Sequence, residues 1–258
     1  GASGLIGHGL SLFFLKKKMK VYGTSFKNKF TKEQKKLVKL KKIDFKNKSN
    51  FKKIKKHLHK IDYVIHSAAL IPSKSNNKKN QFFKTNYLGT KHIIDLCIEY
   101  KIKKFVFIST MGFYNKTLLK KDPYLLSKKK AENYCYKIFK KKKMNISVLR
   151  VKAPYGFLVG KSVVQLFINR AINGKNLNLY SKGERKQIFT FVEDIAVASE
   201  KLFKIKRFLV EIVGPQIISM RFLAKSVLQV FRKNKKQKII FLNQTEKNIN
   251  QNFKFEKK

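Results

Sequence analysis

Three residues that can take part in proton transfer lie within one short stretch: Thr110, Tyr124 and Lys128. The tyrosine and the lysine are four residues apart, so on a helix they lie one turn apart on the same face. A phenol has an unperturbed pKa of about 10, and a neighbouring ammonium favours its ionised form. The spacing therefore predicts that Lys128 lowers the pKa of Tyr124 toward neutrality, as general acid/base chemistry requires.

Thr110 follows the apolar run 105–108 (FVFI), which is typical of a buried strand. Its hydroxyl is therefore predicted to lie at the carboxyl end of that strand. In a parallel sheet, this is the edge at which ligands bind.

A glycine-rich turn, 1–7 (GASGLIG), precedes a helix-like apolar stretch at 10–15 and a strand candidate at 20–25. Glycines spaced three apart allow the backbone to approach a pyrophosphate closely. The helix that follows offers free N–H groups and the positive end of its dipole to the phosphates. The turn therefore predicts a dinucleotide-binding βαβ unit.

The elements that must position these residues alternate between strands and helices, which predicts an α/β class protein with a doubly wound parallel sheet over residues 1–154. The predicted strands are 20–25, 43–45, 61–67, 104–110 and 146–151, and the predicted helices are 4–17, 49–59, 80–100 and 124–142. Residues 155–258 are predicted to form a smaller C-terminal α/β substrate domain, with segments near 188–205 that return to the first domain. The predicted elements there are helices 162–173 and 194–205, strands 177–180, 188–192 and 209–213, and a helix that runs from an N-cap at Ser219 to about 232.

No apolar strand precedes the glycine turn in this sequence. In a nucleotide-binding unit of this kind, a strand of about six residues runs directly into the turn and lies at the centre of the sheet. The sequence is therefore predicted to be an N-terminally truncated fragment that lacks the first strand. Such a sheet would leave unpaired backbone groups on two neighbouring strands.

Several further stretches occur in the order of one enzyme family. Besides 1–7, they are 42–45 (KIDF), 64–69 (VIHSAA), 85–90 (TNYLGT), 107–110 (FIST), 149–150 with 154–156 (LR and PYG), and Arg185 with 189–194 (FTFVED). Together they resemble the extended short-chain dehydrogenase/reductase family, the NAD-dependent epimerase/dehydratase type that acts on nucleotide sugars. The resemblance implies a Rossmann-like fold.

The resemblance also implies roles for individual residues. Tyr124 would exchange a proton with a sugar hydroxyl or carbonyl, Lys128 would hold the nicotinamide ribose, and Thr110 would hydrogen-bond the same substrate oxygen. Hydride would pass between a sugar carbon and the nicotinamide. Besides Tyr124 and Lys128, the residues implied to bind the cofactor are Gly1, Ser3, Gly4, Leu5, Ile6, Gly7, Ser25, Asp44, Phe45, Ala68, Ala69 and Asn86.

The end of the predicted strand 20–25 bears on the choice between NAD and NADP. NAD-binding relatives usually have an acidic residue there that grips both ribose hydroxyls. This sequence has Ser25, and Lys27 follows it. Because no carboxylate would repel a 2′-phosphate, NADP is favoured over NAD by a small margin.

The substrate side of the resemblance is less complete. Arg185 is implied to anchor the diphosphate of a nucleotide sugar. Ala153, however, occupies a position where the family often has an asparagine that contacts the nucleotide diphosphate. Met111 and Gly112 follow Thr110, where a dehydratase usually has an acidic residue, so an epimerase or reductase is favoured. A homodimer through helices 80–100 and 124–142 is implied by the same resemblance.

Composition limits the other classes of function. The chain has 61 Lys and Arg against 14 Asp and Glu, a formal charge of +47, yet only six of the basic residues are arginine. Lys, Asn, Ile and Phe are abundant, and this is the composition that the codons of an AT-rich genome produce. Specific nucleic-acid sites, in contrast, tend to use arginine. We therefore predict no specific nucleic-acid partner. No apolar run reaches about 18 residues, which predicts no membrane partner. Cys97 and Cys135 lack metal-ligand spacing, which predicts no metal site and suits a cytoplasmic protein.

Two alternatives remain open at this stage. A catalytically idle family member could bind dinucleotide and act as a scaffold or sensor, which the departure at Ala153 favours. A polyanion-binding protein could use the basic surface. Clustering of lysines on one face of the fold would favour that hypothesis, and uniform scatter would argue against it.

Overall fold

The computed structural model describes residues 1–72, 79–156, 162–231, 233–234 and 236–242. Its helices are α1 (Leu5–Lys16), α2 (Phe51–Leu58), α3 (Lys79–Phe82), α4 (Gly89–Glu99), α5 (Lys116–Lys121), α6 (Pro123–Lys140), α7 (Val163–Ile172), α8 (Val192–Lys204) and α9 (Met220–Phe231). Its strands are β1 (Tyr22–Thr24), β2 (Val38–Leu40), β3 (Tyr63–His66), β4 (Lys104–Thr110), β5 (Ile146–Val151), β6 (Pro154–Tyr155), β7 (Leu177–Tyr180), β8 (Lys186–Ile188), β9 (Thr190–Phe191), β10 (Leu209–Ile212), β11 (Ile217–Ser219) and β12 (Ile239–Leu242).

Four parallel strands in the order β10-β5-β4-β3 form the main sheet. Alternate residues of a strand point to opposite faces, and β4 is buried on both. Phe105 and Phe107 pack into the core under α2, α4 and α6, whereas Val106 and Ile108 pack against α8. Helices therefore cover both faces of the sheet, which confirms the predicted α/β fold.

β1 and β2 form a separate parallel pair. A cavity of about 370 Å³ lies between this pair and the main sheet. It is lined by residues at the start of β1, including Val21 and Tyr22, and by residues of β3, including Val64 and Ile65. Among the described residues, no strand pairs with both β1 and β3. That a further strand precedes Gly1 stays a prediction.

Local sequence explains the bounds of β4 and β5 and the start of α6. β4 and β5 have the predicted bounds, since each is a short apolar run that is buried on both faces. α6 begins where Asp122 Oδ1 accepts a hydrogen bond from the Tyr124 N–H at 2.8 Å and Pro123 takes the first helical position.

Two predicted strands were wrong. The strand predicted at 43–45 lies instead at 38–40, because β2 pairs with β1 there while Ile43 and Phe45 enter the core from a loop. The strand predicted at 188–192 is two short strands: β8 pairs antiparallel with β11, and β9 pairs parallel with β6. The chain thus passes from one partner strand to another at Phe189.

The C-terminal part has a core of its own, made by α7, α9 and the parallel pair β7 and β12. Between its segments, the chain crosses back to the main sheet: α8 packs against α1, and β10 pairs with β5. Ser219 Oγ accepts a hydrogen bond from the Phe222 N–H at 3.0 Å, which confirms the predicted N-cap of α9. Within the described ranges, none of the helices combines the length and apolar character needed to span a membrane.

Candidate active site

The glycine turn packs tightly against the segment that follows β3. A Cβ atom on Gly1 would lie 2.7 Å from Ala68 N, and one on Gly7 would lie 2.1 Å from Gly1 O, so neither position has room for a side chain. A Cβ on Gly4 would meet only Gly1 O, at an ordinary 3.5 Å. The protein's own packing thus requires Gly1 and Gly7, whereas the backbone at Gly4 is open to a ligand.

Helix α1 begins at this turn without a side-chain cap. Gly4 is its N-cap, and no acidic residue lies in the first turn. The N–H groups of Leu5, Ile6 and Gly7 have no acceptor within the helix, and the dipole places positive charge beside them. Ser3, which is buried, completes the turn. This donor set suits the pyrophosphate of a dinucleotide, and these are residues that the sequence predicted for it.

A loop that the sequence analysis did not single out holds the turn in place. The Gln34 side chain donates to Ala2 O at 2.8 Å, and the His8 ring lies 3.0 Å from Thr31 Oγ1. Thr31 and Gln34 also form a capping box. Their T-x-x-Q spacing was a signal that could have located this clamp from the sequence.

The other residues predicted to bind the cofactor around β1 and β2 lie at strand ends or in loops. Ser25 is buried, follows β1 and is held by a hydrogen bond from its N–H to Leu40 O at 2.9 Å. The Asp44 carboxylate accepts from the Lys46 N–H at 3.0 Å, so it is already engaged within its loop. The Phe45 ring packs against the rings of Phe51 and His66 in the core.

Thr110 and Lys128 approach the same end of β4. Thr110 is the last residue of that strand, and its hydroxyl accepts a hydrogen bond from the Gly112 N–H at 3.1 Å. Lys128 Nζ donates to Ile108 O at 2.7 Å and lies 3.9 Å from the centroid of the Phe107 ring. Tyr124 lies one helical turn before Lys128, and its ring packs edge-on against Phe82.

The acid–base properties of the pair differ from those predicted. Burial, with a smaller contribution from Asp122, raises the pKa of Tyr124 to about 12. Burial lowers the pKa of Lys128 to about 7. The predicted lowering of the Tyr124 pKa by Lys128 was therefore wrong for this structure, because Lys128 directs its ammonium to the backbone of β4 and both groups are desolvated.

Asn86 links three segments of the predicted site. Its side-chain oxygen accepts from the Leu70 N–H at 2.7 Å, and its amide nitrogen donates to Leu70 O and to Ser127 Oγ, both at 3.0 Å. Ser127 Oγ in turn donates to Tyr124 O at 2.7 Å. The amide is thus satisfied by protein groups. Asn86 therefore fixes the segment after Ala68 and Ala69 against α6. These hydrogen bonds engage the side-chain oxygen and nitrogen of Asn86, a residue that was predicted to bind the cofactor.

A buried ionic network lies behind Thr110, and the sequence analysis missed it. Glu132, one turn beyond Lys128, accepts from Ser109 Oγ at 3.0 Å and forms an ion pair with Arg150 at the end of β5. Arg150 also pairs with Glu211 of β10 at 2.9 Å. The spacing of Glu132 from Lys128 placed it on the same helix face, which was the available signal. The network ties α6 to three strands.

Arg185 lies apart from these contacts, in the segment before β8. The pKa of Lys152, which follows β5, is lowered to about 8, first by burial and then by the charge of Arg185. The Thr190 hydroxyl donates to Lys152 O at 2.8 Å, which fixes the backbone here. Two basic residues thus lie near the carboxyl end of β5, and the sequence analysis did not single out Lys152.

Within the described part of the chain, no group of His, Cys, Asp and Glu side chains is arranged to hold a metal ion.

Residues 1–207 match the model of the NAD dependent epimerase/dehydratase family. A dTDP-D-glucose 4,6-dehydratase of Dictyostelium discoideum is 26% identical over 168 residues, which are 56% of this chain and 39% of that protein. A UDP-glucose 4-epimerase of Rickettsia canadensis is 29% identical over 150 residues, which are 57% of this chain and 42% of that protein. The chain thus spans only about two-fifths of the length of these relatives.

Solved structures share the fold. The UDP-glucose 4-epimerase of Thermotoga maritima, solved with UDP-glucose, superposes with a TM-score of 0.81 at 21% identity, covering 94% of this chain and 84% of that one. The enzyme of the same name from Thermus thermophilus, solved with NAD, gives 0.78 at 20% identity, covering 93% and 83%. The family match covers most of the chain, and the sheet, the glycine turn and the helix α6 agree with it. This chain is a member of the NAD-dependent epimerase/dehydratase family.

Proposed function

We propose that this chain is the dinucleotide-binding and catalytic part of an NAD(P)-dependent epimerase or reductase that acts on a nucleotide-activated sugar. The observation that carries the proposal is the meeting of the glycine turn, the segment after β3 and α6 at the carboxyl edge of the parallel sheet. Gly1 packs on Ala68 N, Asn86 joins Leu70 to Ser127, and Lys128 binds Ile108 O.

The turn and α1 would hold the pyrophosphate, through the N–H groups of Leu5 and Ile6 and the open backbone at Gly4. When bound, the nicotinamide would supply the hydride acceptor and donor. We favour NADP over NAD because Ser25 stands where NAD-binding relatives have a carboxylate and the exposed Lys27 follows it.

The chain's own residues would then handle the proton. Thr110 would donate its hydroxyl hydrogen bond to the substrate oxygen, and the Tyr124 phenol would exchange a proton with that oxygen. With a pKa near 12, Tyr124 carries its proton at neutral pH and starts as the acid. For Tyr124 to act as a base, Lys128 must be protonated and turn part of its hydrogen bonding from Ile108 O toward the phenol.

Substrate selection would depend on the two basic residues near the carboxyl end of β5. We propose that Arg185, with Lys152 nearby, binds the diphosphate of the sugar nucleotide. Met111 and Gly112 carry no carboxyl group beside Thr110, which favours epimerisation or reduction over dehydration. Helices 79–99 and 123–140 remain the proposed surface for a homodimer.

One observation favours a second candidate, the catalytically idle dinucleotide binder. Lys128 Nζ is engaged by Ile108 O, and the Tyr124 phenol is desolvated, so the pair is not poised for proton transfer in this state. Ala153 also replaces the asparagine that relatives often use for the diphosphate.

Turnover with a panel of UDP-, GDP- and dTDP-sugars tests the proposal. Products are separated by chromatography, because an epimerase that regenerates its cofactor leaves no net change in absorbance. Tyr124→Phe should lower turnover at least about 100-fold while cofactor still binds. Tyr136→Phe, an exposed tyrosine on the same helix, is the matched control and should keep full activity. Cofactor binding without turnover on any sugar would favour the idle binder instead.

A further inference from the structure

Five segments that each leave a helix and enter a parallel strand meet along one edge of the molecule. They are 16–21 before β1, 59–62 before β3, 100–103 before β4, 140–145 before β5 and 204–208 before β10. Because the strands are parallel, these segments lie at the amino ends of the strands. The glycine turn and Thr110 lie at the carboxyl ends of the strands, along the opposite edge of the sheet. We call these five segments the basic edge.

Contacts between the segments show that they form one continuous surface. Lys103 N donates to Asp62 O at 2.9 Å, which joins the second and third segments. The buried Lys104 Nζ donates to Asn145 Oδ1 at 2.8 Å and to Ile205 O at 2.7 Å, which joins the fourth and fifth. Phe203 stacks on the rings of Phe14 and Tyr63, which brings in the first.

The basic edge is richer in positive charge than the chain as a whole. Of its 25 residues, 14 are Lys or Arg, against 61 of 258 in the whole sequence. All 14 are exposed: Lys16, Lys17, Lys18, Lys20, Lys60, Lys101, Lys103, Lys140, Lys141, Lys142, Lys143, Lys204, Lys206 and Arg207. In the described part of the structure, only Lys17 and Lys103 of this set form ion pairs, with Glu200 and Asp62.

Stabilisation of helix ends does not account for this enrichment. A helix carboxyl end carries about half a negative charge, and its effect on side chains fades beyond the last turn. Eleven of the 14 basic residues lie beyond the last helical residue. After subtracting five helix ends and the carboxylates of Asp62, Glu99 and Glu200, the edge still carries an excess of about eight positive charges. The lysines of this chain are thus not uniformly scattered.

We propose that the basic edge binds the phosphate backbone of double-stranded nucleic acid without sequence preference. Neighbouring strands are about 4.8 Å apart, so the edge is about 20 to 25 Å long. A duplex presents one phosphate per about 1.7 Å of its axis, enough to face every unpaired cation along that length. Lysine, a flexible point charge, suits phosphate contact, whereas base recognition favours arginine.

The shape of the edge argues for a nucleic acid rather than a lipid surface. The helices reach it end-on, so none lays an apolar face along it, as an interfacial membrane helix would. Of the apolar side chains within its five segments, only Met19 and Ile205 are exposed, at 37% and 44%. Among the described residues, two exposed rings lie beside the edge, Tyr63 next to β3 and Tyr136 against Phe208, and two separate rings do not make the row of aromatic platforms that single-stranded binders use.

Fluorescence anisotropy with a labelled 20-base-pair mixed-sequence DNA duplex tests the proposal on the whole chain. The edge variant replaces Lys20, Lys140, Lys141, Lys143 and Lys206 with Gln. The matched control replaces five exposed lysines elsewhere: Lys52, Lys53, Lys175, Lys182 and Lys236. Both lower the formal charge of +47 by five. We expect the edge variant to bind at least about 10-fold more weakly at 100 mM KCl and to reduce the salt-dependence slope by about 4, and the control to change less than about 2-fold.

Two further measurements separate duplex binding at the basic edge from a change in folding and from binding at the proposed dinucleotide site. Acetylation of the wild-type lysines, mapped by mass spectrometry, should show duplex protection at the basic edge and not at Lys52 or Lys175. Saturating NADH or NADPH should not displace the duplex. Equal losses in both variants would overturn the proposal in favour of bulk charge. Binding to phosphatidylserine vesicles but not to the duplex would overturn it in favour of a lipid surface.

Discussion

Replacing Lys128 with methionine should stabilise the unliganded protein at neutral pH and lose that advantage in base. Lys128 is 3% exposed, and burial lowers its pKa from 10.5 to about 7. Between these pH values, the unfolded chain keeps a proton that the folded chain releases, so stability rises with pH. The gap corresponds to about 3 to 4 kcal/mol of unfolding free energy gained by the wild type between pH 7 and pH 10.

Methionine preserves the length of the side chain but removes the charge and the hydrogen bond to Ile108 O. That bond is worth about 1 kcal/mol. The Lys128→Met protein should therefore be about 3 kcal/mol more stable than wild type at pH 7 and about equal to wild type in stability at pH 10. The other buried lysines that titrate in this range, Lys104 and Lys152, are present in both proteins, so their contribution cancels.

Urea unfolding at pH 7, 8, 9 and 10 measures this difference. Lys137→Met, an exposed lysine on the same helix, is the control and should differ from wild type by an amount that does not depend on pH. A difference between wild type and Lys128→Met that stays constant across the four pH values would refute the reasoning. It would mean that the folded protein keeps Lys128 protonated across this range, as the unfolded chain does.

Three other predictions follow from the packing. Glu132→Gln should cost about 3 kcal/mol in urea unfolding, because Arg150 is 12% exposed and loses its buried partner, and adding Arg150→Met should recover part of that loss. Gly7→Ala should lower the melting temperature, because its Cβ would meet Gly1 O at 2.1 Å. Gly4→Ala should leave the melting temperature near that of wild type while weakening cofactor binding. If the two variants were destabilised equally, the geometry of the glycine turn would be contradicted. Ser219→Ala should cost about 1 kcal/mol of unfolding free energy through the lost N-cap of α9, and Ser226→Ala on the same helix serves as the control.

Elements that are specified by local sequence were predictable. β4 and β5 are continuous apolar runs, and α6 has a cap and a proline at its start, so each has a signal that does not depend on the rest of the fold. The positions of Thr110, Tyr124 and Lys128 on these elements followed from the same signals. The family resemblance, which rests on motif order, was confirmed by the family match over residues 1–207.

What depended on long-range partners was not predictable. β2 forms at 38–40 (VKL) because β1 lies beside it, although 43–45 (IDF) has the same apolar–charged–apolar pattern and local sequence does not separate the two. The break at Phe189 reflects two different partner strands. The orientation of Lys128 toward Ile108 O, and the satisfaction of Asn86 by Leu70 and Ser127, depend on how α6 packs on β4, which no spacing along the chain encodes.

Calorimetric titration of the chain with NADPH and NADH tests the central claim most directly, that the glycine turn and α1 bind a dinucleotide. We predict saturable binding with one site per chain, tighter for NADPH, that Gly4→Ala weakens at least about 10-fold and Tyr136→Phe leaves unchanged. Absence of binding to either dinucleotide by the folded wild-type chain, or binding that Gly4→Ala does not affect, would contradict the account.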